Sequence, residues 1–130
     1  MNKTVREWVA KAEGDFASAR REVRARKDPN FDAACFHAQQ CIEKLMKALL
    51  LHRRVSFPKT HDLVTLLQLL EPGGQCPAVL VEELRFLTRA AVAFRYPGEA
   101  ATRKDAREAY RLCERLRKLW RQRLGLRQRR

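Results

Sequence analysis

Apolar residues in this chain return every three or four positions in four long stretches, and nowhere do they alternate with polar ones along a β-branched segment. The first spacing lines one face of an α-helix, the second would line a strand, so helices are left to build the core. Val5, Trp8, Val9, Ala12, Phe16, Ala19 and Val23 mark a first helix, with Thr4 and Glu7 in the S/T-x-x-E pattern of a capping box. It should end before Asp28-Pro29, because proline disfavours helical backbone in the residue ahead of it. A second helix is expected from Asn30 or Phe31 to about Arg53, along Ala34, Ala38, Cys41, Ile42, Leu45, Ala48 and Leu49. Thr60 is expected to cap a short third helix through Leu63, Leu66, Leu67 and Leu70, which Glu-Pro-Gly-Gly stops. Pro77 suits the first turn of a fourth, carrying Leu80, Leu84, Leu87 and Ala91 and broken at Pro97-Gly98. Thr102 and Asp105 then cap a fifth, whose face is Ala106, Ala109, Tyr110, Cys113, Leu116 and Trp120.

A chain of 130 residues matches one domain, spanning 1–130. Four long amphipathic helices with short connections most economically make an all-α, antiparallel, up-and-down four-helix bundle with the third helix as an addition. Phe31, Phe36, Leu50, Phe57 and Leu119 fall off the principal core faces, so a homodimer that covers some of them is expected. No apolar run approaches the roughly 20 residues a bilayer span needs, and the amino terminus is amphipathic and charged rather than a signal peptide. The expectation is no membrane contact and a cytoplasmic location. Cys35, Cys41, Cys76 and Cys113 form no CxxC pair and no metal-ligand spacing, and read as small buried hydrophobes in a reducing compartment.

Charge narrows the partners: 28 Lys and Arg against 15 Asp and Glu give a net +13, which draws phosphates and other anions at long range. From Arg103 onward there are twelve Lys or Arg against Asp105, Glu108 and Glu114. An arginine-rich RNA-binding module is therefore one reading of the chain. The chain lacks a G-x-S-x-G elbow, a phosphate loop, H-E-x-x-H and a dinucleotide fingerprint, so no cofactor and no metal are expected. Gly73-Gly74 is a helix terminator without the strand a phosphate loop follows, and His52 suits the carbonyl end of the second helix.

Chemistry concentrates in three segments. The polar side of the second helix carries His37, Gln40, Lys44 and Lys47 at helical steps, within His37-Ala-Gln-Gln-Cys-Ile-Glu-Lys-Leu-Met-Lys47. Lys59-Thr-His-Asp-Leu63 opens the third helix, and Phe94-Arg-Tyr-Pro97 follows the fourth. In this order, with the Ala12-x-x-Asp-Phe-x-x-Ala19 pattern of the first helix, the chain resembles HEPN domains over nearly its whole length. The resemblance implies a four-helix bundle with an extra short helix, usually dimeric and often encoded beside a small nucleotidyltransferase.

One branch of that family, rich in toxins, cleaves RNA with an R-x(4 to 6)-H motif, in which the cation stabilises the scissile phosphate and the histidine transfers the proton. Here Arg95 is followed at those positions by Ala100, Ala101 and Thr102. The resemblance therefore implies a non-catalytic member that binds a nucleotide-type anion, or serves as the partner subunit of a nucleotidyltransferase. Ribonuclease activity would need His37 or His61 as a substitute. The candidate site residues are Arg95 as a forked phosphate donor, Lys44 and Lys47 as point charges, Tyr96 or His37 as a stacking ring, and His61. Structural roles compete at two of these places: Glu43 and Lys47 form an i, i+4 pair, and His61-Asp62 can help start the third helix.

Overall fold

A computed structural model describes residues 1–128, so Arg129 and Arg130 of the basic carboxyl end lie outside the described residues. The described residues form five α-helices and no strand: α1 (Lys3–Arg24), α2 (Phe31–His52), α3 (Leu63–Leu70), α4 (Ala78–Ala93) and α5 (Arg103–Arg123). Helices α1, α2, α4 and α5 make the antiparallel bundle and α3 is the short addition, packed on α2 and α4. Lys47 over Trp8 near one end, and His37 against Asp15 farther along, show α1 and α2 running in opposite directions. No helix among the described residues is long and apolar enough to cross a membrane.

The helix starts show which side chains do the capping. The Thr102–Asp105 capping box of α5 forms in both directions, as expected. Two other expectations are corrected. α1 begins a residue before Thr4, because Asn2 Oδ1 accepts the Val5 N–H at 2.9 Å, which puts Thr4 inside the first turn. α3 is capped by Asp62, whose Oδ1 accepts from Val64 N at 3.0 Å; the Thr60 hydroxyl accepts from Asp62 N at 3.0 Å and so holds the capping residue rather than capping the helix. Pro77 stands at the N-cap of α4, just outside the first turn.

α2 is the axis of the fold and packs against every other helix. Its Ala34, Cys35, Ala38, Cys41, Ile42, Leu45, Met46 and Leu49 are buried, and each such leucine contributes about 1.5–3 kcal/mol by leaving water. Leu50, expected off the core, is fully buried too, as part of the hydrophobic core of the same chain, and the connection after it folds back so that Val55 N donates to the Leu50 carbonyl. Phe31, Phe57 and Leu119 are partly buried against the core of the same chain. The four cysteines are free thiols, and burial beside Asp105 and Asp32 pushes Cys35 up to about 12.

Not all of the basic residues of α5 face water. Arg117 and Arg121 are buried against α1, where Glu13 accepts from Arg117 Nε at 2.8 Å and from Arg121 Nη1 at 2.6 Å. The Arg117 guanidinium also lies 4.3 Å over the Phe16 ring.

Candidate functional site

The polar residues of α2 divide between two neighbours, because a helix surrounded by others turns different faces to each. Toward α1, the buried Asp15 carboxylate accepts from Lys44 Nζ at 2.5 Å and meets His37 Nδ1 at 2.8 Å. The charge of Lys44 is thus held in the α1–α2 seam. About a quarter-turn further round the helix, Gln39, Glu43 and Lys47 stand at successive four-residue steps and form a buried line, its Lys47 end still within reach of Trp8 on α1.

Glu43 is the hub of that line. Its Oε2 accepts from Lys47 Nζ at 3.1 Å, and its Oε1 accepts from Gln39 Nε2 at 3.0 Å and meets His61 Nδ1 at 2.9 Å. Gln39 Nε2 also donates to the His61 carbonyl at 2.9 Å, and Gln40 Nε2 donates to Gln39 Oε1 at 2.8 Å. Burial pushes the Glu43 carboxyl up, but hydrogen bonds from Gln39, His61 and Lys47 outweigh it and hold the group below its ordinary range. The Lys47 ammonium lies 5.9 Å from the Trp8 ring centre and 5.7 Å from that of Phe57, within cation–π reach. Lys47 is therefore a buried partner of Glu43, whereas the His61 side chain, on the same carboxylate, is 75% exposed.

Above this line a cleft of about 240 Å³ opens between α2, the connection ahead of α3, and α4. Phe36, Gln39 and Gln40 of α2, His61, Thr88 and Arg95 line it, with Ala91 and Val92 as its apolar wall. Arg95 stands just past the end of α4, exposed, its guanidinium 5.4 Å from the Phe36 ring centre. The segment that carries it is tied at both ends: Arg95 N donates to the Val92 carbonyl, and Asp32 Oδ1 accepts from Ala101 N at 2.7 Å. Between them Gly98 turns the chain at φ 104°, a left-handed backbone that suits glycine. Thr88 Oγ1 accepts from Leu63 N at 3.3 Å and so fixes the start of α3 to α4 beside the cleft.

Of the residues singled out from the sequence, the structure brings Arg95 and His61 to one cleft. Lys44 and Lys47 are held by carboxylates, and His37 reaches the cleft only through the edge of Phe36, at 5.4 Å between ring centres. Tyr96 is 63% exposed and lies outside the lining. The positions after Arg95 where a ribonuclease histidine would fall serve to start α5: Ala101 is bonded to Asp32, and Thr102 is the N-cap. Sequence reasoning did not single out Phe36 and Gln39 for the site. The four-residue spacing of Gln39, Glu43 and Lys47 was a usable signal, since three polar residues in line on so apolar a helix require a common partner.

Comparison with known proteins places these features. The family model described as "HEPN domain" matches residues 5–123. No curated protein matches the chain. Among solved structures, the protein TT1696 from Thermus thermophilus is similar over 95% of this chain and 99% of its own, with 26% identity and a TM-score of 0.79. ST0689, described as an archaeal HEPN homologue, is similar over 94% of this chain and 98% of its own, with 26% identity and a TM-score of 0.73.

Proposed function

The chain belongs to the HEPN domain family, and on that premise we propose that it is a non-catalytic member that binds a nucleotide-type anionic ligand in the cleft at Arg95. One observation carries this reading: residues from three separate segments, α2, the Lys59-Thr-His-Asp-Leu63 stretch and the end of α4, converge on a single opening. Arg95 offers a planar, permanently charged fork to phosphate oxygens. His61 has Nδ1 engaged by Glu43, which leaves its other ring nitrogen for a ligand. Gln40 adds an amide at the rim, and Phe36 an aromatic surface against which a base can lie. A small nucleotidyltransferase subunit, whose own substrate is a nucleotide, is the protein partner this site suits. A homodimer belongs to the reading; Val92 on α4 and Tyr96 beyond its end are exposed large apolar side chains that a second copy can cover.

The test is a calorimetric titration with nucleoside mono- and triphosphates. Arg95→Ala is expected to weaken binding by tenfold or more while the unfolding temperature stays put. A destabilised Arg95→Ala protein that binds as tightly per folded molecule as the parent would refute the assignment. Light scattering at micromolar concentrations checks the dimer, which a monomer mass throughout would exclude.

A second reading is favoured by one specific feature, the His61–Glu43 pair beside Arg95. A cation next to an imidazole held by a carboxylate is an arrangement that can cleave a phosphodiester without metal. RNA cleavage in the presence of a chelator, lost in both Arg95→Ala and His61→Ala, would replace the first reading with this one.

A further inference from the structure

The face of α5 turned away from the core carries a feature the cleft does not use. Lys104, Arg107, Arg111, Arg115 and Lys118 are all exposed and follow one another by three or four residues, so they form a single line. At 1.5 Å of rise per residue that line is about 21 Å long. Glu108 and Glu114 stand at its two edges rather than within it. Arg111 pairs with Glu108 at 2.7 Å and Arg115 with Glu83, but no carboxylate among the described residues lies within ion-pair distance of Lys104, Arg107 or Lys118. On the α1 side, Arg20 and Arg24 add two more cations beside Tyr110. α1 offers a contrast within the chain: there four acids, Glu7, Glu13, Asp15 and Glu22, are interspersed among six cations, Lys3, Arg6, Lys11, Arg20, Arg21 and Arg24. A basic composition alone does not sort charges into a stripe.

We propose that this stripe is a second binding surface, separate from the Arg95 cleft, which lies along the phosphate backbone of a double-helical nucleic acid. A straight row of cations complements a regular row of phosphates, and such contacts position a protein without reading sequence. The occupant is a duplex rather than a single strand, because surfaces for single strands add aromatic rings on which bases stack. No aromatic ring among the described residues is exposed on α5: Tyr110 is half-buried and stacked on Phe16 with ring centres 5.6 Å apart. α2 and α4 stand between the two surfaces. Both pack on α5, where Glu83 of α4 meets Arg115, and both turn other residues to the cleft, Phe36 and Gln40 from α2 and Thr88, Ala91 and Val92 from α4. A duplex on α5 therefore leaves the cleft open.

Fluorescence anisotropy with a labelled 20-base-pair RNA duplex, a DNA duplex of the same sequence and the corresponding single strands tests the proposal over a series of salt concentrations. At least one duplex is expected to bind more tightly than its single strand, and the two duplexes show whether RNA or DNA is preferred. The logarithm of the binding constant should fall with that of salt at a slope near −4, as four to five neutralised phosphates require at about −0.9 each. The variant Lys104→Gln/Arg107→Gln/Arg111→Gln/Lys118→Gln should lose at least tenfold in affinity and most of the slope, while Arg95→Ala stays within twofold of the parent. Should the fourfold variant not fold, the two halves of it, Lys104→Gln/Arg107→Gln and Arg111→Gln/Lys118→Gln, should each lose part of the affinity and part of the slope. Failure of both duplexes to bind at 50 mM salt overturns the proposal. So does tighter binding of single strands, unchanged binding by the charge variants, loss of binding in Arg95→Ala, or equal competition by polyglutamate of matched charge.

Discussion

Two glutamates organise the charged interior of this bundle, and they differ in what their partners can reach. Glu13, on the α1–α5 seam, binds Arg117 and Arg121, and both guanidinium groups are buried. Arg117 is further covered by Phe16, and Arg121 donates on to the Arg127 carbonyl at 3.1 Å, so that every partner faces protein. Glu43 is the more buried carboxylate, its side chain 4% exposed against 19% for Glu13. Yet one of its partners, His61, stands in the cleft and is three-quarters exposed. A carboxylate's own depth therefore does not decide whether the group it holds reaches water: Arg117 and Arg121 are buried on the shallower Glu13, and His61 is exposed on the deeper Glu43. The closed seam fastens α5 to α1, whereas the Glu43 line fastens α2 to a side chain that a ligand can touch.

The largest expected effect separates the two carboxylates by stability. Glu43→Ala leaves Lys47 buried among Trp8 and Phe57 with no counter-charge, and removing one partner of a buried pair costs about 3–5 kcal/mol. Glu13→Ala should cost less, because that carboxylate is closer to water and Arg121 keeps the Arg127 carbonyl. Urea unfolding of the two variants measures the difference. A Glu13→Ala loss equal to or greater than that of Glu43→Ala would break the comparison at its base. Adding Lys47→Met to Glu43→Ala should restore much of the stability, since the orphaned charge is then gone.

The next effect in size sets an open arginine against a closed one. Arg95→Ala removes an exposed side chain whose stacking on Phe36 contributes about 0.5–1 kcal/mol, so folding should change little. Binding of a nucleotide should weaken by about 1.5–3 kcal/mol, the usual worth of a hydrogen bond to a charged group. Arg117→Ala should do the reverse, lowering the unfolding temperature while leaving nucleotide affinity per folded molecule unchanged. Thermal melts and calorimetry on the two proteins read both quantities. Equal loss of binding in both would mean that the α1–α5 seam and the cleft act as one unit.

The bundle itself was legible because apolar periodicity is a local property, and burial of one face follows from it whatever the neighbours are. The capping box at Thr102 was legible for the same reason. The starts of α1 and α3 were not, since Asn2 competes with Thr4 and Asp62 with Thr60 at separations of two residues, and backbone direction decides which oxygen meets an amide. At the site, Arg95 and His61 line one cleft, whereas Tyr96, His37, Lys44 and Lys47, singled out with them, do not. The polar stripe of α2 was read as one surface. It is two, because the carboxylates that claim its lysines differ: Asp15 comes from α1, and no pattern within α2 announces it. Leu50 was missed because α2 has a helix on several sides, so a residue off its principal apolar face is still buried in the common core.

The smallest expected effect is a pH dependence that belongs to the Glu43 line. Burial raises the affinity of this carboxyl for a proton, and bonds from Gln39, His61 and Lys47 lower it by more, so the folded value lies below the ordinary 4.5. For a carboxylate depressed in this way, the stabilisation is complete above the unfolded value and is lost as pH falls through the folded one, because the unfolded chain takes up its proton first. The melting temperature of the parent should therefore exceed that of Glu43→Gln by a constant margin from pH 7 down to about pH 5, and the margin should close below 4.5. Acidic groups common to both proteins cancel in the difference. If the margin grows on acidification instead, burial dominates the carboxyl, and the bonds that hold His61 at the cleft are weaker than their geometry requires. If it stays constant to about pH 3.5, the ionised form of Glu43 contributes nothing to holding that histidine. Gln39, which donates to the His61 carbonyl, then becomes what positions it.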